Sequence, residues 1–142
     1  MKQKILFFTP IIVLGLFLLW LGIGMRHPKP DAAQESQYFS AIPIPSQYKR
    51  TGTLDTGKLY FLTSCAKCHG NFGEGGLNAP NLTDTIWIRG RGSFEDIYLI
   101  IRDGIPDTEM NGWAGKMQDE DIRILAAFVT SISYRKNRDD KR

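Results

Sequence analysis

The chain has 142 residues, with 18 Lys or Arg against 15 Asp or Glu and a formal charge of +3. That length allows one modest domain plus an appendage. Residues 1–50 hold six cations against two acids and residues 135–142 five against two, but residues 51–134 hold seven against eleven. The globular part is therefore acidic, and a nucleic-acid role has no support.

Lys2 and Lys4 precede an apolar run over residues 5–24, ILFFTPIIVLGLFLLWLGIG, interrupted only by Thr9 and Pro10. Twenty helical residues rise about 30 Å, enough to cross a bilayer core. A cleaved signal peptide has a shorter apolar core, although Gly22-Ile23-Gly24 offers a small-x-small site. A buried core helix would show a polar face, and there is none. The run is read as an uncleaved single transmembrane anchor over residues 1–25, with Trp20, Arg26 and Lys29 at interfacial positions. The flanking cations balance, so charge alone does not orient it.

Residues 26–50 contain Pro28, Pro30, Pro43 and Pro45 and no sustained helical period. They are expected to form a semi-extended tether, with short pieces such as IPIP lying on the domain surface. Residues 51–134 are globular in composition, and three helices are expected there. The first runs from about Asp55 to Cys65, with Asp55 as N-cap and Leu59, Tyr60 and Leu62 inward. The second starts at Ser93, where S-x-x-D is a capping-box variant. Phe94, Ile97, Tyr98 and Ile101 follow at helical spacing, and Gly104 and Pro106 stop it. The third opens after Gln118 with three acids, and Ile122, Leu125, Ala126, Val129 and Ile132 form its buried stripe. Met117 and Ile122 flank that start as a hydrophobic staple. No strand pattern and no repeat is present. Residues 135–142, RKNRDDKR, read as a charged, frayed tail. A three-helix core of this size often needs a staple, a metal or a cofactor.

The only cysteines, Cys65 and Cys68, stand in TSCAKCHG with His69 directly after them. A structural zinc site needs four ligands, and the only other histidine is His27. A thioredoxin-like dithiol wants a βαβ context, and this domain reads as helical. A plain disulfide explains neither the adjacent histidine nor the glycine-rich loop that follows. Cys-x-x-Cys-His at a helix end fits one covalent haem c: each thiol adds to a vinyl group, and His69 binds the iron. The second axial ligand should be Met or His. Met1 and Met25 belong to the membrane end and Met117 has a packing role. Met110, in the loop GIPDTEMNGW, is the candidate.

These residues resemble class I cytochromes c over about residues 51–134, in GKLYFLTSCAKCHG, APNLTD, IW, FEDIYLIIRDG, the Met loop and MQDEDIRILAAFV. Within that family the likeness is to cytochrome domains of cbb-type haem–copper oxidase subunits. The resemblance implies an all-α fold, three main helices around one covalent haem. It implies that the Pro80 carbonyl fixes the His69 ring, and that Trp87, Arg89, Arg91 and Trp113 surround the haem edge or propionates. One departure is visible: the family commonly has Pro directly after the ligand Met, and here Asn111 stands there. Haem attachment outside the cytoplasm then orients the anchor, with the domain on the periplasmic side of a bacterial inner membrane. The implied role is electron transfer between membrane redox partners, as a carrier or an electron-entry subunit. The chain by itself is then not an enzyme and takes no small-molecule substrate. The alternative is a haem-based gas sensor or peroxidase with a labile sixth ligand.

Overall fold

The computed structural model describes residues 32–139. The apolar run over residues 5–24 lies outside the described residues, among which no helix is long and apolar enough to cross a membrane. The chain divides into two compact units, Met1–Glu35 and Ser36–Arg142, and the second holds the core and the site. The described helices are α1 (Ala32–Ala41), α2 (Thr51–Ser64), the single turn α3 (Ala66–His69), α4 (Phe94–Asp103) and α5 (Asp119–Asp139), with a 3₁₀ turn at Ser46–Tyr48. Among the described residues there are no strands, only isolated bridges pairing Gly104 with Asn111 and Ala114 with Met117.

Helix α2 starts at Thr51, four residues before the expected Asp55, and its N-cap is Arg50, without a side-chain cap bond. Its buried face is Leu54, Gly57 and Phe61, spaced three and four apart. The inward positions expected for Leu59 and Leu62 are wrong: they are 59% and 41% exposed. Tyr60 is half-buried and sends its hydroxyl to Asp121. The glycine in the stripe is the physical reason. A Cβ on Gly57 would lie 2.6 Å from Phe128 Cβ and 2.7 Å from Ile124 O, so α2 and α5 cross at backbone contact there. One turn on, the Phe61 and Phe128 rings pack at 5.6 Å.

Helix α4 follows its sequence signals. Ser93 Oγ accepts from Asp96 N–H at 3.2 Å, while the Asp96 carboxylate accepts from Arg91 N–H at 2.7 Å. Phe94, Ile97, Tyr98 and Ile101 are buried, and Gly104 ends the helix with its N–H on Ile100 O. Helix α5 begins where the acids predict. Gln118 O receives Ile122 N–H at 3.1 Å, and Ile122, Leu125, Ala126 and Val129 are buried, with Ile132 only half-buried. Each large apolar side chain of this stripe contributes about 1.5–3 kcal/mol by leaving water. Met117 is partly buried against the core. The helix continues to Asp139, so residues 135–139 are helical rather than a frayed tail. The Arg135 guanidinium sits 5.3 Å from the Tyr38 ring centre.

The three acids that open α5 are each held by a tyrosine from a different element. Tyr98 Oη of α4 donates to Asp119 Oδ1, Tyr48 Oη of the 3₁₀ turn to Glu120 Oε2 at 3.1 Å, and Tyr60 Oη of α2 to Asp121 Oδ1 at 2.8 Å. Arg123 joins Asp119 at 2.9 Å and lies 4.0 Å over the Tyr98 ring, with Arg102 5.4 Å from the same ring.

The second half of the expected tether is folded. Tyr38, Ile42, Ile44 and Tyr48 are buried in the same core as the helices. Tyr38 Oη donates to Ser131 O at 3.0 Å, and Tyr48 stacks on Phe94 at 5.6 Å. Helix, a bend at Ile42–Ile44 closed by Ile44 N–H on Ile42 O at 2.8 Å, and a 3₁₀ turn succeed one another within a few residues, so the inward positions obey no single period. That is why the segment reads as unstructured.

Candidate functional site

Helix α2 ends at Cys65, where the chain turns directly into α3, which carries Cys68 and His69. Neither cysteine is in a disulfide. Cys65 is half-buried, and its burial, with Cys68 as a further cause, pushes its thiol up to about 11.

His69 is the last residue of α3. Its Nδ1 lies 3.0 Å from Pro80 O. A proline carbonyl only accepts, so Nδ1 carries a proton, which leaves Nε2 as the ring atom able to bind a metal. The loop that brings Pro80 back depends on Gly70, whose φ is +79° and whose added Cβ would lie 2.3–2.7 Å from the Glu74 carboxyl group. That carboxylate accepts from Phe72 N–H at 2.8 Å, and Gly75 N–H donates to His69 O at 2.7 Å. The result is a tight reversal that returns residues 79–82 to the histidine.

Cys65, Cys68, His69, Pro80, Trp87, Arg89, Met110 and Trp113 all lie on one cleft of about 720 Å³. Arg91, grouped with them on the basis of resemblance, is not brought there. It is exposed outside the cleft, and its N–H is bonded to Asp96. The cleft walls are mostly apolar: Leu82, Ile86, Ile88, Ile97, Ile105 and Val129 contribute. Sequence reasoning missed these residues. Ile86 and Ile88 carried a readable signal, two isoleucines flanking Trp87 in a segment with no helical or strand role.

The residues present fit a haem. Ile86 and Ile88 are 75% and 73% exposed in the protein alone, although they line a concave wall. Large isoleucines standing so far out of the core are what a broad apolar group in the cleft would cover. The donor set agrees, with two thiols, a histidine held in the Nδ1–H tautomer and a thioether on one cavity. Among the described residues no group of three or more His, Cys, Asp or Glu is placed to hold a metal ion. A bare metal site is therefore a poorer match than a metal carried by a macrocycle.

Comparison with known proteins agrees with this geometry. The chain is similar to the cbb3-type cytochrome c oxidase subunit CcoP of Cereibacter sphaeroides, 33% identical over 107 residues, covering 72% of this chain and 36% of that protein. It is similar to the cbb3-type cytochrome c oxidase subunit FixP of Rhizobium meliloti, 35% identical over 107 residues, covering 72% of this chain and 35% of that protein. The chain thus spans about a third of the length of these relatives. Among solved structures, cytochrome cL of Methylophaga aminisulfidivorans superposes with a TM-score of 0.57 at 20% identity, covering 76% of this chain and 72% of that one. That likeness gives the fold: an all-helical cytochrome c domain. The profile described as cytochrome c oxidase, cbb3-type, subunit III matches residues 52–129. That stretch is more than half of the sequence and runs from the start of α2, through the Cys-x-x-Cys-His turn, to the middle of α5, and the chain accordingly belongs to the cbb3-type cytochrome c oxidase subunit III family.

Proposed function

We propose that the chain is a membrane-anchored, single-haem cytochrome c that passes electrons at the membrane, as the electron-entry subunit of a cbb3-type oxidase or as a carrier serving one. The observation that carries this reading is the gathering of Cys65, Cys68, the Pro80-tied His69 and Met110 on one apolar cleft. Cys65 and Cys68 would hold the haem covalently through their thiols, and His69 Nε2 and Met110 Sδ would hold its iron. When bound, the haem supplies one-electron chemistry at iron, with Met/His ligation favouring a high reduction potential.

The chain's own residues set the conditions. Pro80 O holds the His69 proton on Nδ1 and fixes the ring, raising its basicity as a ligand. Trp87, Trp113 and the isoleucine walls would keep water from a haem in the cleft, and Arg89, which also lines it, would offer a cation to the haem's carboxylates. Residues 5–24 form the anchor, and the domain lies on the periplasmic face of a bacterial inner membrane. The gas-sensor alternative rested on Asn111, and that residue is bound: its N–H and Nδ2 both donate to Glu109 O, at 3.0 and 3.2 Å.

The test is a visible and near-infrared spectrum of the purified protein, with a haem-stained denaturing gel. A low-spin spectrum, a weak ferric charge-transfer band from iron–thioether bonding and stain retained on the gel are expected. Covalent haem in a Cys65→Ala/Cys68→Ala double variant would sink the attachment role. Co-purification with other oxidase subunits in mild detergent separates subunit from free carrier.

A further inference from the structure

The loop between α4 and α5 has internal bracing that belongs to neither helix. Ile105 N–H donates to Met110 O at 2.9 Å, and Gly104 pairs with Asn111 beside it, so residues 105–110 close into a ring. Inside the ring, Thr108 Oγ1 donates to Ile105 O at 2.8 Å and accepts from Met110 N–H at 3.2 Å. A hydroxyl has one proton and two lone pairs, so both bonds form together. Within the same ring Asp107 has φ +62°, the left-handed region that Asp tolerates better than most residues and that lets the loop reverse. The ring is held by hydrogen bonds made inside the loop.

Asn111 does part of this. Its main-chain N–H on Glu109 O is a bond that proline at this position could not make. It acts downstream of Met110. On the other side, the bond that reaches Met110's own backbone from a side chain comes from Thr108, which also lines the cleft.

We propose that Thr108 is the positioning residue for Met110, its hydroxyl fixing the methionine's backbone so that the thioether stays on the His69 cleft. This rests on the reading that Met110 is the sixth ligand. Without the hydroxyl, Met110 N–H loses its Thr108 partner and Ile105 O loses a donor, leaving the ring closed only by Ile105 N–H on Met110 O. The thioether then leaves the iron more often, while thiol attachment and the helices are untouched.

The experiment compares the haem-loaded full chain with Thr108→Val, which keeps the shape and removes the hydroxyl, and Thr108→Ser, which keeps the hydroxyl. The readouts are the ferric near-infrared charge-transfer band against temperature and the rate of carbon monoxide binding to the ferrous form. Thr108→Val should keep covalent haem on a denaturing gel, lose the band at lower temperature than the parent, and bind carbon monoxide about five- to tenfold faster, the scale of one lost hydrogen bond. Thr108→Ser should stay close to the parent. Should the valine variant not accumulate, Thr108→Ala carries the same comparison. A valine variant matching the parent in both readouts overturns the role of Thr108, as does a serine variant as defective as the valine one. A parent protein that lacks the band and binds carbon monoxide no more slowly than Met110→Ala overturns the ligand reading, and this proposal with it.

Discussion

Replacing Gly57 by alanine tests the helix crossing on which the domain is built. The new Cβ would lie 2.6 Å from Phe128 Cβ and 2.7 Å from Ile124 O. Neither atom is the far end of a flexible side chain, so relief requires α2 and α5 to move apart by about 1 Å, roughly the shortfall from normal contact. Overpacking of this kind costs about 1–3 kcal/mol. Alanine's better helix propensity returns up to about 1 kcal/mol. The net expectation is a loss of about 1–2 kcal/mol, or a Tm lower by about 5–15 °C in a domain of this size. Gly52 in the first turn of the same helix is the control, because nothing lies within 4 Å of its added Cβ. Gly52→Ala should be neutral or slightly stabilising. Thermal and urea unfolding followed by circular dichroism would measure both. Gly57→Ala as stable as the parent, or the two variants behaving alike, would refute the close crossing.

At the proposed sixth position, Met110→His should keep the haem six-coordinate and lower its potential, Met110→Ala should open the ferrous form to carbon monoxide, and Met117→Leu should do neither, as optical titrations would read. Asp119 is held below the usual carboxylate range, first by the Tyr98 hydroxyl and then by Arg123. Its unfolded form therefore binds a proton at higher pH than its folded form, so its contribution is present above the ordinary carboxylate range and lost as pH falls through the folded pKa. In Asp119→Asn, stability measured by urea unfolding should fall less steeply with pH below about 4 than in the parent. Mass spectrometry of membrane-extracted protein should find the first 25 residues still attached. A mature N-terminus beyond residue 25 in soluble protein would mean the apolar run is an ordinary signal peptide.

The chemistry of this chain is more legible in sequence than its packing. Cys65, Cys68 and His69 are adjacent, and covalent haem chemistry needs them adjacent, so the motif survives without any knowledge of the fold. Helix α4 was readable for a similar reason: Ser93, Asp96, the inward set at 94, 97, 98 and 101, and Gly104 all agree. Helix α2 misleads because its inner face includes Gly57, where the partner's backbone fills the space a side chain would take. A hydrophobic pattern registers side chains, and so it chose Leu59 and Leu62, which the structure leaves outside. Residues 38–48 escaped for another reason. Tyr38, Ile42, Ile44 and Tyr48 face one core from three different backbone conformations. Ile86 and Ile88 were not legible from periodicity, because a residue whose apolar partner is a cofactor obeys no chain period; their only signal was their place beside Trp87 in a segment without a helix or strand.

The tyrosine pins at the start of α5 bear on how the Met110 loop can move. Tyr48, Tyr60 and Tyr98 secure the three opening acids of that helix from three separate elements. At the other end, Gly104 closes α4 with its N–H on Ile100 O. Trp113 N–H on Ile101 O at 3.0 Å and Ala114 N–H on Arg102 O at 2.9 Å tie the far side of the loop back to α4, so residues 105–112 are a bridge deck supported at both ends. Any travel of the methionine has to be bending within the deck, over the few residues on either side of it. Substitutions on the outer faces of α4 and α5 should therefore be mechanically silent at Met110, while small changes between 105 and 111 should not.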